Sequence, residues 1–195
     1  MSMGRPIEFD PDKALVDAMH VFWSRGFEAS SMQDILKATG LSKSSLYQTF
    51  GSKQDLFDSC LKLYCDGSQL KFKELLDNSS SGREFIESLF KSITASCDSD
   101  EGKKGCFLMN TVSEFGKRDK HLAEAMNNQI KRVEQILAKA IKRDKTEKKL
   151  NQDLDEKALA TFFITNMSGL RTMVKAGLST RRTEEVIKNI LKILD

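Results

Sequence analysis

SMQDILKATGLSKSSLYQTFGSK, residues 31 to 53, is the stretch that decides the fold of this chain. Ser31 followed by Asp34 has the form of a helix N-cap with an acidic third position, and Met32, Ile35, Leu36 and Thr39 follow at helical spacing. Gly40 stands where a helix end favours a left-handed residue, Leu41 packs back on it, and Ser42 caps a second helix carrying Leu46, Tyr47 and Phe50. Gly51 closes that short helix. Ser52 caps a further start, from which Lys53 to about Asp77 carries Leu56, Phe57, Cys60, Leu63, Tyr64, Leu70 and Leu75 at mostly helical spacing. Two helices joined by a short turn with glycine form a helix-turn-helix, whose second helix enters the major groove of DNA.

The second helix has the composition of a nucleic-acid reader. Its first turn and outward face are Ser42, Lys43, Ser44, Ser45, Tyr47, Gln48 and Thr49, all hydrogen-bonding side chains, and no acidic residue occurs between Asp34 and Asp55. A surface facing phosphates needs that vacancy. The positive character is local. Basic and acidic side chains nearly balance from Met1 to Asp55, and the whole chain carries a formal net charge of only +3.

At this point a resemblance enters. The segment from about Phe9 to Leu56, above all TGLSKSSLYQTFGSKQDLF from Thr39 to Phe57, resembles the DNA-binding domain of the tetracycline-repressor (TetR) family. Phe22 and Gly26-Phe27 late in the first helix, Ser31 opening the second, and Leu46-Tyr47-x-x-Phe50-x-x-Lys53 with Leu56 stand in the family's order and spacing. The resemblance covers three helices and the start of a fourth; beyond that it is to a pattern of helices.

Composition agrees with an all-α fold. The 195-residue chain has two prolines, both before residue 12, and few of the tyrosine and tryptophan positions that mark strands. The expected architecture is an N-terminal three-helix helix-turn-helix domain, residues 1–53, and a C-terminal helical ligand-binding and dimerisation domain, residues 54–195, about nine helices in all. No apolar run reaches the length of a membrane span and the N-terminus lacks the apolar core of a signal peptide, so a cytoplasmic protein without membrane contact is expected.

Past Ser81-Gly82, a helix from Arg83 to about Ser96 buries Phe85, Ile86, Leu89, Phe90 and Ile93, and CDSDEGKKG, residues 97–105, forms a polar loop. Helices follow from Cys106 to about Phe115 and from about Lys120 to Ile141, then a charged connector from Lys142 to Asp153. Ala158 to Ala176 and a last amphipathic helix capped by Thr183 form a pair with apolar residues on more than one face, which calls for a partner outside the domain. A homodimer is expected, through Phe163, Asn166, Gly169, Leu170, Met173, Ile187, Ile190 and Leu194. The family resemblance implies the same pair of helices.

The resemblance also implies roles in the reader. Lys43 and Ser44 face base edges of a double-stranded DNA operator, with Gln33 and Gln48 as further base contacts; lysine prefers guanine O6 and N7. Ser31, Ser45, Tyr47, Thr49 and Lys53 suit phosphate oxygens, Lys53 adding its charge to a helix N-terminus. Arg5, in the Gly4-Arg5-Pro6 tail, is placed to enter a minor groove.

For the effector, two readings stand side by side. Cys60, Cys65, Cys97 and Cys106 show no metal-binding spacing. Cys106, after Gly105 at a helix start and close to Lys103 and Lys104, sits where a helix dipole and cations act on a thiol. Some electrophile- and hypochlorite-sensing members of the family carry a Gly-Cys pair and a later lysine, which Gly105-Cys106 and Lys175 resemble. The other reading is a small-molecule pocket lined by Phe90, Phe107, Met109, Met126, Phe162 and Phe163.

Catalysis finds no support: His20 and His121 are the only histidines, and no hydrolase, metalloprotease or dinucleotide fingerprint occurs. No metal or cofactor is expected. The sequence thus reads as a DNA-binding transcriptional regulator, a repressor released from a palindromic operator by a small molecule or by modification of a cysteine. The alternatives are an activator, or a DNA-bound adaptor whose basic connector, Lys139 to Lys149, meets a protein partner.

Overall fold

The structure is a computed structural model that describes residues 9–116 and 118–195, so Arg5 lies outside the described residues. Among the described residues every regular element is helical: α1 (Pro11–Arg25), α2 (Met32–Thr39), α3 (Lys43–Phe50), α4 (Lys53–Asn78), α5 (Gly82–Ser96), α6 (Asp100–Lys104), α7 (Phe107–Phe115), α8 (Lys120–Thr146), α9 (Glu156–Lys175) and α10 (Thr180–Leu191), with a closing 3-10 turn at Lys192–Leu194. The chain divides after Tyr64 into two compact units.

In the first unit each helix is started by a side chain next to it in sequence. Asp10 accepts from the Asp12 and Lys13 amides at 2.9 and 3.2 Å, and Pro11, which has no amide to satisfy, opens α1. Ser31 and Asp34 form the reciprocal box read from the sequence: the Asp34 amide donates to Ser31 Oγ and the Ser31 amide to Asp34 Oδ2, both at 3.1 Å. Gly40 ends α2 at φ 69°, ψ 11°, a left-handed turn that a side chain would strain. Ser42 accepts from the Ser45 amide at 3.1 Å, and Ser52 with Asp55 repeats the box at the head of α4. The core is Phe22, Ile35, Leu46, Leu56 and Phe57, all fully buried, with Phe57 edge-on to Phe22 and to Phe27 at 5.1 Å each. α1 stops at Arg25, with Gly26 as its cap, so Phe27 lies beyond the helix and not late within it.

The second unit is one apolar core, in which Phe85, Ile86, Phe90, Ile93, Leu137 and Phe163 from α5, α8 and α9 are fully enclosed. α5 and α8 approach until backbones touch: a Cβ on Gly82 would lie 2.1 Å from the Ala140 carbonyl oxygen. At the same place the buried Asp144 carboxylate accepts from the Gly82 and Arg83 amides, at 2.5 and 2.7 Å, capping α5 from another helix.

Three expectations are corrected here. The 97–105 loop contains a helical turn, α6, because Ser99 caps it through the Gly102 amide at 3.0 Å, with Asp100 and Glu101 in its first turn and lysines in its last. α8 continues to Thr146, which shortens the connector. Thr183 is not the cap of α10: the helix starts at Thr180 after Ser179, and Thr183 is buried one turn in, its hydroxyl donating to the Ser179 carbonyl at 3.0 Å.

Candidate nucleic-acid interface and effector site

The sequence places a polar, acid-free helix start on α3, and the fold presents it outward. Leu46 is the one fully buried side chain of α3. Lys43, Ser44, Tyr47, Gln48 and Thr49 are exposed, as are Gln33 and Ser31 at the start of α2, while Ser45 and Lys53 are half-buried. Ser42 Oγ shares hydrogen bonds with Ser44 Oγ at 3.0 Å and Ser45 Oγ at 2.8 Å, so the first turn of α3 is a linked row of hydroxyls. The Lys43 ammonium lies 5.9 Å from the centre of the Tyr47 ring, and the Lys53 ammonium 4.3 Å from that of Phe27, within cation–π range.

The two carboxylates that bracket this stretch are occupied. Hydrogen bonds from the side chain and then the backbone of Ser31 hold the Asp34 carboxyl below its usual range, and Arg25 adds an ion pair at 2.7 Å. Ser52 does the same for Asp55 through its side chain and backbone. Both acids are thus turned into caps, and the surface between them keeps the charge a phosphate needs.

The four thiols separate by burial. Cys60, at the end of the first unit, and Cys65 are both pushed up to about 12, burial being the largest cause for each. Cys97 is enclosed, its sulfur 3.5 Å from the Ile93 carbonyl oxygen and 3.6 Å from Thr183 Oγ1. Cys106 is half-buried at the N-cap position of α7, and its side chain does not cap that helix. Lys175, from the last turn of α9, lies across the preceding residue: a Cβ on Gly105 would sit 3.1 Å from Lys175 Cδ. The Lys175 ammonium donates to Asn110 Oδ1 at 3.1 Å, and Asn110 Nδ2 donates to the Lys104 carbonyl at 2.8 Å. The fold therefore brings Lys175 to the Gly105-Cys106 loop from a helix far along the chain.

The aromatic and methionine positions expected to line a pocket are mostly core. Phe90, Phe107, Met126 and Phe163 are buried, Phe90 and Phe163 meeting at 5.9 Å, and Met109 is half-buried. Phe162 points outward at 37% exposure. Adjacent residues on a helix are about 100° apart, and on α9 that turn puts Phe163 in the core and Phe162 at the surface. The expected dimer residues divide in the same way. Phe163, Leu170, Ile187, Ile190 and Leu194 belong to the protomer's own core, Asn166 is half-buried, and Gly169 and Met173 are exposed. The outward apolar residues of α9 and α10 are Phe162, Met173 and Val186, with Ile193 just beyond.

Comparison with known proteins completes the site. The model for bacterial regulatory proteins of the tetR family matches residues 14–60, the helix-turn-helix just described, and the model for the tetracyclin repressor-like C-terminal domain matches residues 82–190. The chain belongs to the TetR family. It is 32% identical to YezE of Bacillus subtilis, an uncharacterized HTH-type transcriptional regulator, over 99% of this chain and 100% of that one. It is 26% identical to the HTH-type transcriptional repressor ComR of Escherichia coli, over 98% of this chain and 92% of the relative. The solved structure of the TetR family regulator CifR, a cysteine mutant complexed with 26bp double-strand operator DNA, matches at TM-score 0.88 and 29% identity, covering 98% of this chain and 100% of that chain.

As a TetR-family protein, the chain is a DNA-binding transcriptional regulator. No described helix is long and apolar enough to cross a membrane. Three features of this TetR chain were not read from its sequence: the Phe27 ring under Lys53, Arg25 on Asp34, and Asn110 beneath Lys175. Only Phe27 left a signal, as part of the Gly26-Phe27 motif. The basic connector is partly spent internally, Lys145 pairing with Glu156 at 2.9 Å and Lys149 with Glu147 at 2.6 Å.

Proposed function

We propose that this protein is a homodimeric repressor that holds a palindromic double-stranded operator through α3 and releases it when an effector acts on the C-terminal part. The observation that carries the DNA half is the exposed, acid-free first turn of α3, with its flanking carboxylates committed to caps. In this reading residues 1–53 are the reader and 54–195 the effector-binding and dimerisation part. Lys43, Ser44, Gln33 and Gln48 contact base edges, while Ser31, Ser45, Tyr47, Thr49 and Lys53 position the protein on phosphates. The protein acts by binding and not by catalysis, in the cytoplasm.

Cys106 is the effector target in this reading, supported by its half-exposure beside three buried thiols and by the approach of Lys175. An electrophile alkylates the thiol. Hypochlorous acid converts it to a sulfenyl chloride with loss of water, and the Lys175 amine then displaces chloride, losing a proton and forming a sulfur–nitrogen bond. Either change at the head of α7 alters the spacing of two recognition helices that fit half-sites about 34 to 36 Å apart.

The test is fluorescence anisotropy on the DNA upstream of the protein's own gene, over a salt series. Lys43→Ala is expected to lose discrimination between that DNA and a scrambled sequence. Lys53→Ala is expected to weaken both and to flatten the log–log salt slope by about one unit. Equal weakening on every sequence with an unchanged slope overturns the assignment. Release by N-ethylmaleimide that disappears in Cys106→Ser supports the covalent effector; binding indifferent to the reagent removes it.

A further inference from the structure

α4 and α8 leave between them a groove of about 490 Å³, within the second unit and lined by none of the aromatic or methionine positions considered above. Its α4 wall carries Lys73, Leu76 and Asp77, and its α8 wall Arg132, Ile136 and Lys139, whose spacing of four and then three residues puts them on one helical face. Leu76 and Ile136 are buried and make an apolar floor. Lys73, Arg132 and Lys139 stand exposed around it, and among the described residues none of the three has a salt-bridge partner within 4.0 Å. Asp77 is the single carboxylate of the groove, so its walls carry an excess of positive charge.

One turn past Lys139, Arg143 lies behind the groove, bonded to the backbone of its floor residue Leu76. Its Nη1 donates to the Leu76 carbonyl at 3.4 Å, but Nε and Nη2 are buried without a hydrogen-bond partner. Glu84 and Glu147 both feel its charge, and they are taken up by Ser80 and Lys149 respectively. Arg143 does not line the groove, so its charge acts on the groove only as a field that favours an anion there.

We infer that the α4–α8 groove is a binding site for a small organic anion, with an apolar body on Leu76 and Ile136 and an anionic head among Lys73, Arg132 and Lys139. The volume suits a compact ligand of this kind. Neither Cys106 nor Lys175 lines the groove, and the site does not depend on the operator reading, so each can fail without the other.

The probe is 8-anilinonaphthalene-1-sulfonate, titrated by fluorescence against the full chain. Saturable enhancement is expected, displaced by octanoate but not by octanol, which has the same chain length and no charge. Arg132→Gln combined with Lys139→Gln is expected to raise the dissociation constant about tenfold or more, while Lys142→Gln, exposed on α8 outside the groove, leaves it unchanged within about twofold. Both variants change exposed side chains, and matching melting temperatures show that they fold. Identical titrations for the wild type and the double variant, displacement by octanol as effective as by octanoate, or no saturable enhancement overturns the proposal.

Discussion

The four cysteines show how burial sorts one residue type into different chemistries. Cys60 and Cys65 are enclosed, and taking a thiolate out of water is what lifts both to about 12 from an ordinary value of 9.0. At pH 8, N-ethylmaleimide is therefore expected to label Cys106 first, the other three reacting only once the chain is unfolded; peptide mass spectrometry reads the order. Because the folded-state values of Cys60 and Cys65 are raised, their contribution to stability is complete below about pH 9 and is lost as pH climbs toward about 12. Melting temperature should fall across that window, and less steeply in Cys65→Ala. The residues themselves place Cys106 at a helix start, whereas Lys175 enters beside it only through the family resemblance, because it reaches the Gly105 loop through the packing of α9.

Between neighbouring elements, what was legible is what is local. Ser31, Gly40, Ser42 and Ser52 punctuate α2, α3 and α4 as expected, since an N-cap bonds an amide three residues away and a left-handed glycine ends its own helix. The cap of α5 was hidden because part of it is supplied by Asp144, from α8. Asp144→Ala removes two charge-assisted bonds and strands a buried amide, and should cost about 3 kcal/mol. Gly82→Ala forces a methyl against the Ala140 carbonyl and should cost at least as much, because backbone has to move. Urea denaturation measures both; a loss below about 1 kcal/mol for Asp144→Ala shows that the cap is dispensable.

For the whole molecule, the informative error is one of phase. The sequence places the last two helices to within a few residues, but apolar residues at helical spacing look alike from either side. Phe163, Ile187 and Leu194 were assigned outward, whereas the fold turns them into the protomer core and presents Phe162, Val186 and Ile193, each one position earlier. Met173 alone among the large apolar residues expected at the interface is exposed, at 50%. With Gly169 between them, Phe162 and Met173 fall on one face at spacings of seven and four, a stripe that a soluble protein rarely leaves to water. In the proposed homodimer, a second copy of the chain would meet that stripe through a two-fold axis and so pair the readers for a palindrome. Phe162→Glu with Met173→Glu should therefore leave the far-ultraviolet dichroism helical, halve the mass seen by sedimentation velocity, and lower operator affinity by about a hundredfold or more, since each reader then binds alone. Phe163→Glu should instead unfold the second unit, because that charge enters a closed core with no partner. A dimer that survives the double substitution with its operator affinity intact places the interface elsewhere on the protein.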